Sequence, residues 1–84
     1  MFYVYVSRSI KNKDIYIGYI SDLKERIRYH NSGSVRATKD NLPWELIYYE
    51  AYKGKLDATK REKQLKMHKA KTDLKLQLKY SLLS

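Results

Sequence analysis

Five side chains in this sequence have the types that phosphoryl chemistry asks for: Tyr5, Tyr16, Arg26, His30 and Glu62. Cutting a phosphodiester takes an activated water, relief of charge on the phosphoryl oxygens and help for the leaving oxygen. Arg26 is a permanently charged planar donor suited to phosphate oxygens. Glu62 interrupts an apolar stripe formed with Ala58 and Leu65, and a carboxylate placed there needs a cation. One such cation is a single Mg²⁺ or Mn²⁺ whose other positions stay open to water and phosphate. Tyr5, Tyr16 and His30 are groups that position or deprotonate the water, and the residue types leave open which of them is the base.

Each residue also has a structural reading. Tyr5 and Tyr16 fit as cross-strand packing partners. Arg26 has Asp22 and Glu25 within reach on its own helix, and His30 near a helix C-terminus suits the helix dipole. Glu62 fits a salt bridge to Arg26 or to a lysine.

The elements that must position these residues can be read from periodicity. Phe2, Val4 and Val6 alternate with Tyr3, Tyr5 and Ser7, and Ile15, Ile17 and Tyr19 alternate with Tyr16 and Gly18. That is strand spacing over residues 2–9 and 14–20, with the turn signal Lys11-Asn12-Lys13-Asp14 between the two runs. The apolar residues take one face of this hairpin. The phenols fall on the other face beside Gly18, and a glycine inside a strand often marks close approach of another group. A helix over 22–32 follows, opened by a capping-box-like Asp22 and Glu25 and stopped by Gly33, with Leu23, Ile27 and His30 on one stripe.

Residues 33–43 read as a loop in which Arg36 and Lys39 are candidate phosphate contacts or parts of an ordinary connector. Trp44–Tyr52 reads as a third strand inside the sheet, with Leu46, Tyr48 and Tyr52 on one face and Ile47, Tyr49 and Ala51 on the other. Asp57 is the expected cap of a helix over 58–69. A last helix over 72–83 carries Leu74, Leu78 and Leu82 every four residues. The expected fold class is α+β: a three-stranded antiparallel sheet flanked by helices in the order ββαβαα, forming a single domain over 1–84.

Composition narrows the partners. The chain has 18 Lys+Arg against 9 Asp+Glu, a net charge of +9, and most of the excess lies in residues 53–84. A chain this basic usually meets a polyanion. Lys60, Lys63 and Lys66 join Arg36 and Lys39 as candidate nucleic-acid contacts, although charge runs are often only solvated faces. With no cysteine there is no thiolate metal site. No apolar run approaches the ~20 residues that span a membrane, and the N-terminus lacks the basic start of a signal peptide, so a cytoplasmic protein is expected.

The segments Tyr3-Val4-Tyr5 and Tyr16-Ile17-Gly18, followed by Arg26, His30 and Glu62, resemble the GIY-YIG nuclease domain over about residues 2–68. Tyr3 stands where the name motif has its first glycine, and Tyr19 follows the second half where some relatives have lysine. Gln77 is the nearest polar residue where many relatives place an asparagine. The resemblance implies one-metal hydrolysis. Tyr5 or His30 is then the base, Tyr16 orients the attack, Arg26 stabilises the transition state, and Glu62 holds Mg²⁺ or Mn²⁺. It also implies a small DNA endonuclease similar to excision-repair and branched-DNA nucleases. Its DNA, including branched or single-strand-containing forms, would be chosen by shape more than by sequence, with a second copy or an accessory protein as a further partner. The alternative is a nucleic-acid-binding module on the same fold that cuts weakly or not at all.

Overall fold

Residues 2–9 form the middle of the sheet. A computed structural model describes residues 1–21, Arg28, Asn31 and 39–83. In it, β1 (Phe2–Ser9) lies between β2 (Ile15–Ile20) and β3 (Trp44–Tyr52), antiparallel to both. Every residue from Val4 to Ser9 is buried, because neighbours cover this strand at both edges and on both faces. The hairpin register sets Val6 opposite Ile17 and Val4 opposite Tyr19, and it sets Tyr5 opposite Gly18 and Ser7 opposite Tyr16. The apolar and phenolic faces are therefore separated as the alternation predicts.

The apolar face is closed by the C-terminal third of the chain. Helices α1 (Lys55–Leu65), α2 (His68–Gln77) and α3 (Lys79–Leu83) follow β3. Ala58, Leu65, Leu74 and Leu78 pack with Val4, Val6 and Ile17 into one core, and Leu82 packs against it. The expected leucine stripe is thus the inward face of the last two helices. Phe2 and Tyr19 stack at its margin with ring centroids 6.4 Å apart.

Three expectations are corrected. β3 is an edge strand and not an inner one, and Tyr49 is 52 % exposed. A bulge also interrupts its alternation: Val6 faces Tyr48 but Ser7 faces Leu46, so Ile47 is extra and packs toward the core while Leu46 joins the phenolic face. The helix expected over 58–69 starts at Lys55 with Gly54 as its N-cap, and Asp57 sits in its first turn, where a carboxylate favours the helix dipole without capping it. That helix stops at Leu65. Met67 is extended, so α2 begins at His68 and not near Thr72, and Leu78 separates it from α3. The expected helix over 22–32, with its Asp22 and Glu25 start, falls outside the described residues except for Arg28 and Asn31. So do residues 33–38 of the loop; Lys39–Asn41 form a 3₁₀ turn.

Two polar clamps fix the helices to the sheet. Arg8, 4 % exposed, pairs with Glu45 and donates to the carbonyls of Leu82 at 2.6 Å and Ser81 at 3.3 Å. On β3, Glu50 accepts from Arg61 Nε at 2.8 Å and Nη2 at 3.1 Å, and from the hydroxyls of Tyr48 and Tyr52 at 2.5 Å each. Burial pushes the Glu50 carboxyl up, but hydrogen bonds from Arg61, Tyr48 and Tyr52 outweigh it and hold the group below its ordinary value. The same bond to Glu50, with burial, pushes Tyr52 up to about 12.

These shifts fix the sign of the pH dependence. A depressed carboxylate gives stability that is lost as pH falls through its folded value, and a raised phenol gives stability that is lost as pH climbs from the ordinary 10.0 to about 12. The melting temperature of the wild type should therefore fall at both extremes. Glu50→Gln should flatten both limbs, and Glu50→Ala should cost about 2 kcal/mol at neutral pH by stranding Arg61. Thermal melts followed by circular dichroism across pH check this.

Candidate active site

The phenolic face of the hairpin holds the tyrosine pair. Tyr5 on β1 and Tyr16 on β2 lie with ring centroids 6.2 Å apart. Tyr5 also crosses over its register partner, Gly18. A Cβ added to Gly18 would stand 2.4 Å from the Tyr5 hydroxyl oxygen and 2.5 Å from the ring carbon bearing it. The glycine is therefore required by close approach, as its place in the strand predicts. Tyr5 is 1 % exposed and lies outside the apolar core cluster, and Tyr16 is half-buried, so Tyr16 is the end of the pair nearer solvent.

An aromatic row continues on both sides. Tyr16 meets Trp44 edge-on at 6.1 Å, and Tyr3 meets Tyr49 edge-on at 5.8 Å. Trp44 is buried and held by its backbone: its N–H donates to Asn31 Oδ1 at 2.7 Å, and Asn31 Nδ2 donates to its carbonyl at 3.0 Å. Asn31 thus supplies the hydrogen bonds that a neighbouring strand would give at this end of the edge strand. Nothing in the sequence distinguished it from a polar residue near a helix end.

The other candidates are placed differently. Arg26, His30 and Arg36 lie outside the described residues. Lys39, Lys60, Lys63 and Lys66 are all exposed. Glu62 is half-buried on α1, the helix whose Ala58 and Leu65 cover the apolar face, and it pairs with Lys66 at 3.2 Å. The structure therefore brings Tyr5, Tyr16 and Gly18 together and seats Glu62 on α1. The Glu62–Lys66 contact is the lysine salt bridge weighed above, and an exposed pair one turn apart is worth only about 0.5 kcal/mol. Sequence reading missed Glu50, whose signal was a glutamate between two tyrosines at strand spacing (Tyr48, Glu50, Tyr52) with an arginine on the next helix. Gln77 serves that cluster: its side chain lowers the Tyr48 phenol, offsetting part of the rise caused by burial and by Glu50.

The family model described as the GIY-YIG catalytic domain matches residues 1–76. The chain belongs to this family. A GIY-YIG domain is a nuclease-type fold, its nucleases generally use a divalent metal, and their substrate is nucleic acid. A UPF0213 protein of Staphylococcus saprophyticus, SSP2268, is 36 % identical over 75 residues, covering 88 % of this chain and 90 % of its own. One from Streptococcus pyogenes, SpyM3_1077, is 37 % identical over 71 residues, covering 83 % and 76 %. The solution structure of the UPF0213 protein BH0048 from Bacillus halodurans superimposes with a TM-score of 0.57 at 29 % identity, over 100 % of this chain and 95 % of its own. The names of these relatives state no activity. The sheet and helices described above are those of a small GIY-YIG fold. Among the described residues no helix is long and apolar enough to cross a membrane.

The packing of Tyr5 on Gly18 makes a direct test. Gly18→Ala should cost about 1–3 kcal/mol, because neither the ring nor the strand has room to move. Gly54→Ala, whose new methyl would meet only the flexible Asp57 carboxylate at 3.1 Å, should cost under about 1 kcal/mol. Urea unfolding of the two variants beside the wild type gives the comparison.

Proposed function

We propose that this GIY-YIG domain is a divalent-metal-dependent DNA endonuclease that selects its substrate by shape. The observation that carries the reading is the Tyr5–Tyr16 pair packed over Gly18, in a chain matched by the catalytic-domain model over residues 1–76. Tyr16 meets the scissile phosphate, and Tyr5 behind it holds the ring in place. The attacking water gives its proton to a phenolate at Tyr5 or Tyr16 or to the neutral imidazole of His30 as phosphorus forms its new bond to oxygen. The bond to the leaving oxygen then breaks, and that oxygen takes a proton from solvent water. Arg26 balances charge on the phosphoryl oxygens. With few residues left to reach base edges, discrimination falls to DNA geometry, such as branches and single-stranded stretches.

The carboxylates differ in their fitness to hold a metal. Glu50 spends both oxygens on Arg61, Tyr48 and Tyr52, and Glu45 is tied to buried Arg8. Glu62 is half-buried and its described partner is a long exposed lysine that can swing away, so it suits the role best. A divalent ion bound there would supply Lewis acidity toward the phosphate.

One observation favours the rival reading, a nucleic-acid-binding module that does not cut: the Glu62 carboxylate already has a cation beside it, Lys66 at 3.2 Å. Cleavage of plasmid, single-stranded, flap and junction DNA, with Mg²⁺ or Mn²⁺ and with EDTA, separates the two. The wild type should cut only with metal, and Glu62→Ala should cut about 100-fold more slowly or not at all. Gel shifts in which both proteins bind DNA and neither cuts it would give the function to the rival.

A further inference from the structure

A groove opens beside Tyr16, between the turn of the hairpin and α2. It is lined by Lys13, Asn41, Tyr16, Trp44, Lys71 and Lys75, with Asp14 as its acidic residue. Lys71 and Lys75 are one turn apart on α2 and so present two amines along one wall. Lys13, on the hairpin turn, supplies a third. The groove is therefore positive along its sides and aromatic at the end where Tyr16 packs on Trp44.

The hairpin wall is held rigidly. Ser9 and Asp14 close the turn with a backbone bond of 2.8 Å, and Lys13 N–H donates to the Ser9 carbonyl at 2.9 Å. Asn12 Nδ2 donates to Asn41 Oδ1 at 2.7 Å, and Ser9 Oγ donates to the Asn41 carbonyl at 2.6 Å. Within this turn Lys13 has φ 68°, a left-handed backbone that glycine or asparagine adopts far more readily. The fold alone would favour a glycine there. A long amine at that strained position, lining a groove with two more lysines, indicates use of the amine and not of the backbone.

We propose that this groove is a track for the phosphates of a nucleic-acid strand. Lys13 and the Lys71–Lys75 pair grip the backbone from its two sides and lead it to Tyr16. The proposal rests on the nuclease reading for what happens at Tyr16, but the grip itself needs neither metal nor catalysis. It adds contacts distinct from the α1 lysines: those lie on another helix, whose neighbouring cleft is lined by Tyr52, Asp57, Lys60, Arg61 and Gln64.

The test is binding of a fluorescein-labelled single-stranded oligonucleotide in EDTA, measured by anisotropy over a range of salt. Trp44, the chain's single tryptophan, reports occupancy through its emission. Lys71→Gln/Lys75→Gln should weaken binding about tenfold and make the salt dependence shallower by about 1.4, two phosphates at about 0.7 each. Lys53→Gln/Lys55→Gln removes the same charge elsewhere and should change the slope far less. Lys13→Gly should melt at or above the wild-type temperature, since glycine suits the turn, yet bind more weakly and with a shallower slope. Equal losses for the two lysine pairs, or wild-type binding by Lys13→Gly, would overturn the track. A protein that binds in this pattern and never cuts would sink the nuclease reading alone, and one that cuts with an indifferent groove would sink the track alone.

Discussion

The structure depends on the burial of β1 on both of its faces. A chain of 84 residues has little core to spend, and this one places its central strand where every side chain from Val4 to Ser9 is covered. Valines meet the helices on one side. On the other side the strand offers a phenol and two serines, which other polar and aromatic groups must cover. The price of so small a core is that polar residues become structural. Arg8 and Glu50 do for the outer helices what leucines do in a larger domain, with charge-assisted hydrogen bonds in place of area.

This division explains how the two faces can carry different tasks. The apolar face is a continuous packing of Val4, Val6 and Ile17 with Ala58, Leu65, Leu74 and Leu78, and it sets stability. The phenolic face is built on ring contacts at 5.8–6.2 Å and on one glycine that makes room for a ring. Edge-on and tilted contacts of this kind tolerate small displacements better than close-packed aliphatic groups do. A site on that face can adjust to a substrate without loosening the core behind it.

Much of this was legible in the sequence because strand alternation is a local signal. Tyr5, Tyr16 and Gly18 were placed together on one face by period-two spacing, and the leucines of the last helices by period-four spacing. What escaped was set by non-local terms. The bulge at Ile47 depends on β1 opposite it, and the edge position of β3 depends on strand order, which the composition of β3 does not encode. The N-terminus of α1 moved because its N-cap is Gly54, with no side-chain cap bond, which a search for a capping side chain passes over. The Glu50 cluster needed two elements, β3 and α1, to come together. Glu62 reads as a carboxylate that needs a cation because it interrupts the Ala58–Leu65 stripe, and that local signal did lead to its pairing with Lys66 one turn on.

Arg8 ties the second residue from the end of the first strand to carbonyls 73 and 74 positions later. During synthesis that strand emerges long before those carbonyls. Until Ser81 and Leu82 have left the ribosome, the guanidinium has no route to this pair of acceptors, and the apolar face still lacks Leu78 and Leu82. The sheet can pair early, but the domain closes only when its last helix arrives. Nascent chains should therefore pass through a stage in which the hairpin is paired and its valine face is open to other apolar surfaces, the stage at which a chaperone would find it.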